Sequence, residues 1–195
     1  MATELSAAII AGGQARRLGG RDKSRLVVRG RTIIVRQLDV LQRVSDEVFL
    51  VSPFAERHAD LGLPVHADVV AGAGAIGGVL TALERARHDL VLVVACDLPF
   101  LDARLLLALV ELARTADGAW PATSRGVEPL VACYRRDARA VIRARIEAGA
   151  LRLMDLDGAL RMARLEGEAL AACGAPEELL ANVNTPEDLR RVQRQ

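Results

Sequence analysis

The strongest constraint on how this chain folds is a succession of short, continuously apolar runs separated by segments of helical period. Leu5 to Ala11, Glu47 to Ser52, Leu63 to Ala67 and Asp89 to Ala95 each have strand length, and the last (Asp-Leu-Val-Leu-Val-Val-Ala) is the clearest. A strand that is apolar on both of its faces must be covered on both. Between these runs, Thr32 to Arg43 places apolar residues at helical spacing behind Thr32 as expected N-cap. The glycine-rich stretch Gly72 to Gly78 leads into a helix expected from Val79 to Arg87, and Asp102 is expected to cap a leucine-rich helix reaching Arg114. Strands alternating with helices in this way specify an α/β protein with a mostly parallel sheet between helical layers.

The second half is less regular. Gly118 to Pro121 and Glu128 to Tyr134 read as strands, and Arg136 to Ala148 as an arginine-rich surface helix. Thr185-Pro186-Glu187-Asp188 reads as a capping-box start with proline in the first helical position. No repeat, low-complexity tract or linker divides the 195 residues, so one domain spanning 1–195 is expected. With aromatics at 3%, the core must be built from Leu, Val, Ile and Ala. A net charge of +1 gives no general footprint for nucleic acid, and no apolar run has the length of a membrane span. Cys96, Cys133 and Cys173 are odd in number and match neither a disulfide framework nor a zinc pattern, which fits a reducing cytoplasm. His58, His66 and His88 lack metal-ligand spacing and receive no role.

Of the 26 basic side chains, only Lys23 is a lysine. It follows a loop with Gly12, Gly13, Gly19 and Gly20 that also carries Arg16 and Arg17. Arginine offers a planar fork and lysine a compact point charge, so a lone lysine after a glycine loop suits a phosphate group. Glycines there let backbone N–H groups approach an anion. A plain turn and compositional drift are the competing explanations, and the loop matches neither a P-loop nor a dinucleotide fingerprint. Asp97, in Ala95-Cys96-Asp97-Leu98-Pro99, falls where the strand ending at Ala95 meets the carboxyl edge of the sheet. A carboxylate there can hold Mg²⁺, or it can simply cap the turn before Pro99. Cys96 has no histidine nearby in sequence and reads as a small buried residue, not a nucleophile. In Asn182-Val183-Asn184 the two amides alternate with Val183 and can face one way, although asparagine before a capped helix is ordinary turn chemistry.

Taken together, Ile10-Ala11-Gly12-Gly13 and Arg17-Leu18-Gly19-Gly20-x-Asp22-Lys23 resemble the signature loop of the molybdenum cofactor guanylyltransferases, the MobA family. The resemblance extends over nearly the whole chain. Gly74-Ala75-Ile76-Gly77-Gly78 resembles that family's central glycine turn, Cys96-Asp97-Leu98-Pro99 its metal-binding Cys-Asp-x-Pro, and Asp68 matches an acidic residue near the nucleotide. Glu128-Pro129-Leu130, Leu151-Arg152 and Asn182 to Pro186 resemble its later motifs, attributed to the pterin. Two positions depart: Ala75 replaces the usual proline, and Ser52 stands where some relatives carry an asparagine that touches the nucleotide.

The resemblance implies a Rossmann-like three-layer αβα fold, with a nucleotide-binding N-terminal half and a pterin-binding C-terminal half. It implies transfer of GMP from GTP to molybdopterin or Mo-molybdopterin with Mg²⁺, and cofactor-delivery and acceptor proteins as further partners. Lys23, Asp97 and Arg17 would then be catalytic, with Asp97 the metal ligand. Ile10, Ala11, Gly12, Gly13, Lys23, Ser52, Asp68, Gly77 and Asp97 would bind the nucleotide, and Asn182, Asn184 and Pro129 the pterin. The competing readings are a molybdopterin cytidylyltransferase or another nucleotidyltransferase, and a non-catalytic GTP or cofactor binder. Ala11-Gly12-Gly13 and the Asp22-Lys23 pair favour guanine over cytosine: Gly12 leaves room for a purine edge, and Asp68 can accept from nucleotide donors. Arg135, Arg136 and Arg139 read as a solvated helix face rather than a partner surface.

Overall fold

A computed structural model of the chain describes residues 4–12 and 22–194. Arg17, Gly13, Arg16, Gly19 and Gly20, named above, lie outside the described residues.

In chain order, strand β1 (Leu5–Ile10) leads to a 3₁₀ turn (Lys23–Arg25) and a small hairpin, β2 (Val27–Val28) and β3 (Arg31–Thr32). Helix α1 (Ile33–Val44), β4 (Glu47–Val51), a 3₁₀ segment (Ala55–Leu61), β5 (Val65–His66), α2 (Ala75–Arg85) and β6 (Leu90–Ala95) complete the first half. The second half holds α3 (Ala103–Ala113), β7 (Gly118–Thr123), β8 (Gly126–Val127), β9 (Val131–Arg135), α4 (Arg139–Glu147) and a 3₁₀ segment (Leu153–Gly158). It ends with β10 (Met162–Leu165), α5 (Gly167–Ala171), α6 (Pro176–Leu179) and α7 (Pro186–Arg194).

The main sheet has the order β10-β7-β9-β6-β1-β4-β5, with β8 paired to β7. Strands β5, β4, β1 and β6 run parallel, as do β7 and β10. Only β9 is reversed against both of its main-sheet neighbours, β6 and β7. Alternate residues of the strands feed two cores. Leu5, Ala7, Ile9, Leu50, Leu92 and Val94 meet α1 and α3 on one face. Ala8, Phe49, Val51, Val91 and Val93 meet α2 and α4 on the other. This is the αβα layering expected from strands with no polar face.

Four local features differ from expectation. Helix α2 begins at Ala75 and not Val79, because Gly77 and Gly78 are helical and Gly74 caps the helix with φ 66° and ψ −144°, a conformation open to glycine. Residues 128–130 form a loop in place of the expected start of β9, whereas β10 was not anticipated. Thr32 does hold the N-cap position of α1, but its hydroxyl makes no cap bond and is buried without a partner among the described residues. Asp102 and Thr185 behave as expected. Asp102 accepts from the Arg104 N–H at 2.8 Å. Thr185 Oγ1 accepts from Asp188 N–H at 3.1 Å, while the Asp188 carboxylate accepts from Thr185 N–H at 3.0 Å.

A third, smaller core joins the hairpin to the C-terminal segment through Leu26, Val28, Ile33, Ala181, Val183 and Val192. Its position determines what lies next to Lys23.

Candidate functional site

Strands β1 and β6 are neighbours, yet the next main-sheet strand after β1 is β4 on one side, whereas the next after β6 is β7, beyond β9 on the other. Connections diverging from adjacent parallel strands open a crevice at their carboxyl ends, where ligands of such sheets bind. A cleft of about 270 Å³ occupies that place, lined by Ile10 and Gly12 after β1 and by Cys96 and Asp97 after β6. Lys23, Asp68, Gly74, Ala75, Gly78 and Leu130 also line it.

Lys23 is presented by its 3₁₀ turn. Asp22 caps that turn, accepting from Ser24 N–H at 3.0 Å and from the Ser24 hydroxyl at 2.7 Å. Arg25, the next basic residue, is committed elsewhere, gripping Asp60 and the Arg57 carbonyl. The Lys23 ammonium therefore points into the cleft, 3.3 Å from Asp97 Oδ2, and also donates to Asn184 Oδ1. The C-terminal segment is fixed here by the Val183 N–H, which donates to the Asp97 carbonyl at 2.9 Å. With Val183 fully buried, its neighbours turn outward: Asn184 to Lys23, and Asn182 to an exposed position.

Three carboxylates at this end of the sheet are held above their ordinary pKa. Burial raises Asp97, and the adjacent Lys23 only partly offsets it. Burial also raises Asp68, opposed by the Thr81 hydroxyl 3.5 Å from its Oδ1. Glu128 rises through burial and then through repulsion from Asp97. Carboxylates in this condition have fewer partners than their charge demands. The start of α2 adds the positive end of a helix dipole, with Gly74, Ala75 and Gly78 lining the cleft. A β-carbon on Gly78 would lie 2.9 Å from Ile10 Cγ2, so glycine is what allows the helix to approach β1.

The remaining anticipated residues are placed as follows. Ile10, Ala11 and Gly12 form the end of β1 and the chain beyond it. Ser52 is 1% exposed and its hydroxyl donates to the Ala11 carbonyl at 3.3 Å, supporting that loop from behind. Gly77 faces Ala73 and the Val70 carbonyl, so Gly78 takes the cleft position beside it. Pro129 belongs to the loop beside the cleft, its carbonyl accepting from the buried Tyr134 hydroxyl at 2.8 Å. Cys96 is buried and its thiol is pushed up to about 12 by burial and by Asp97, as expected of a small buried residue. Sequence reasoning missed Gln37, which is almost fully buried and donates to the carbonyls on either side of Cys96 and Asp97. The only signal for Gln37 is an amide at a position of α1 where the spacing calls for an apolar residue.

Residues 7–165 match the family model described as the MobA-like NTP transferase domain. A probable molybdenum cofactor guanylyltransferase of Pelotomaculum thermopropionicum is 34% identical, the match covering 95% of this chain and 90% of that protein. One from Chloroflexus aggregans is also 34% identical, with 97% and 93% covered. Among solved structures, molybdopterin-guanine dinucleotide biosynthesis protein A from Archaeoglobus fulgidus superimposes with a TM-score of 0.82 at 24% identity, covering 97% of each chain. The cleft at the β1–β6 switch point thus sits in a fold and a sequence context that agree, and the chain belongs to the MobA-like NTP transferase family.

Proposed function

We propose that the protein is a molybdenum cofactor guanylyltransferase: it transfers GMP from GTP to the terminal phosphate of molybdopterin or Mo-molybdopterin and releases pyrophosphate. The observation that carries this reading is one ammonium, Lys23, set between Asp97 and Asn184 at the sheet's switch point. Relatives matched over nearly their full length carry the same activity in their names.

The reaction forms a bond from an oxygen of the pterin phosphate to the α-phosphorus and breaks the bond from that phosphorus to the bridging oxygen of the leaving pyrophosphate. The attacking group is already anionic, so no strong base is required. The work lies in bringing two anions together in line and neutralising charge on the phosphates. Lys23 and the first-turn N–H groups of α2 supply positive charge, with Arg17 assigned a supporting part. Gly12 and Gly13 admit the nucleotide closely, and Asp68 accepts from guanine N–H donors. Asn182, Asn184 and Pro129 border the side assigned to the pterin.

Asp97 suits Mg²⁺, because a single carboxylate suffices where substrate phosphates and water fill the other positions. Its raised pKa marks a carboxylate short of positive charge. When bound, the metal would supply Lewis-acid stabilisation of phosphate oxygens. Among the described residues no helix is long and apolar enough to cross a membrane, and we place the enzyme in the cytoplasm.

The test is pyrophosphate release by the purified protein with Mg²⁺ and molybdopterin, comparing GTP, CTP and ATP. Release with GTP alone is expected. Release with CTP would overturn the base specificity, and GTP binding without turnover would favour a carrier.

A further inference from the structure

Helix α1 buries a stripe made of Ile33, Ile34, Gln37, Leu38, Leu41 and Val44. One member of that stripe is an amide. Gln37 is 1% exposed, and a buried amide is costly unless its hydrogen bonds are made. Its Nε2 makes two, donating to the Ala95 carbonyl at 2.7 Å and to the Leu98 carbonyl at 3.0 Å. Those carbonyls bracket Cys96 and Asp97: Ala95 is the last residue of β6, and Leu98 follows the carboxylate directly. A single nitrogen therefore ties together both ends of the segment that carries Asp97. The same side chain leaves Oε1 buried without a hydrogen-bond partner among the described residues. An apolar residue of similar size would avoid that cost and match the rest of the stripe, but would take this donor from the Ala95 and Leu98 carbonyls. The amide departs from the local rule of the stripe, and what it serves is the turn that carries Asp97.

The geometry points to Gln37 as a positioning residue for the transfer reaction, holding the Ala95–Leu98 turn so that the Asp97 carboxylate faces Lys23 and the substrate-bound cation. The inference rests on Asp97 serving that cation, as proposed above. Cys96 N–H bonds the Ile10 carbonyl at 3.2 Å and Val183 N–H bonds the Asp97 carbonyl, so the turn is also tied to β1 and to the C-terminal segment. Without the amide its underside loses the donor that fixes its height above α1. A misplacement of about 1 Å at a reacting centre costs on the order of a hundredfold in rate.

The experiment uses Gln37→Met, which keeps length and removes the donors, and Gln37→Glu, which keeps shape but presents only acceptors when ionised. Asp97→Asn serves as reference. Folding is followed by circular dichroism and thermal melting, turnover by pyrophosphate release, and the cation by electron paramagnetic resonance titration of Mn²⁺ in the presence of GTP. Gln37→Met is expected to melt within a few degrees of the parent while kcat falls about ten- to a hundredfold. Its Mn²⁺ midpoint should rise several-fold, with KM for GTP little changed at saturating metal. Unchanged kcat and Mn²⁺ midpoint in Gln37→Met, with Asp97→Asn impaired in both, would overturn the role of Gln37 alone. An Asp97→Asn protein that turns over and binds Mn²⁺ normally would instead remove the reading on which it rests. Failure of both Gln37 variants to fold would make the amide part of the framework and would also overturn the inference.

Discussion

At the amino end of the sheet, Glu47 receives the Ser6 hydroxyl at 2.6 Å, the Arg87 N–H at 2.9 Å and the Arg87 guanidinium at 2.8 Å. At the carboxyl end, Asp97 has one lysine at 3.3 Å, shared with Asn184, and Asp68 has a single hydroxyl at the limit of contact. Burial pushes all of these carboxylates upward, but at Glu47 the surrounding donors overcome it and leave the group below its ordinary range. At Asp97 and Asp68 burial prevails. The same chemistry is thus structural where its hydrogen bonds are complete. At Asp97 and Asp68 they are incomplete among the described residues, and the proposed substrate and cation would finish them.

The comparison breaks most visibly through activity. Asp97→Asn and Lys23→Ala should each lose about a hundredfold in pyrophosphate release, near 3 kcal/mol of transition-state stabilisation, while melting as the parent does. Lys23→Arg should also be impaired, since the fork does not reproduce a point charge; full activity there would show that the lone lysine is incidental. Next, Gly78→Ala forces a β-carbon against Ile10 and should cost about 1–3 kcal/mol by chemical denaturation, with weaker GTP binding by calorimetry.

At the other end, Glu47→Gln should leave turnover unchanged and cost about 1–2 kcal/mol at neutral pH. Because the folded-state pKa of Glu47 is depressed, its contribution is complete above the ordinary glutamate range and is lost as pH falls through the folded value. Parent and variant stabilities should therefore converge in acid, a trend that denaturation at several pH values would reveal or refute. The smallest effect belongs to Thr32→Val, which removes a buried hydroxyl with no partner among the described residues and should be neutral or stabilising by up to about 1 kcal/mol in the same assay.

How much of this was legible depends on the range of the interaction. The four apolar runs and the caps at Asp102 and Thr185 are local patterns, and they formed where spacing placed them. Asp97 could be located because a buried strand must end at an edge. The start of α2 was missed because Gly77 and Gly78 resemble a loop until the proximity of Ile10 explains them. Strand β10 was missed because Met162-Ala163-Arg164-Leu165 is short and polar at one position, and pairs with β7 across a distant stretch of sequence. Gln37 gave almost no sign, since the carbonyls it serves lie 58 and 61 residues away.

The small core that fastens residues 181–192 to the hairpin also bears on how the site can come apart. It is separate from the two larger cores that hold the sheet. Lys23 meets Asn184, and the Asp97 carbonyl its tie to Val183, through the segment that this small core fastens. Local opening there dismantles the cleft while leaving the sheet intact, so the site is lost before the fold is.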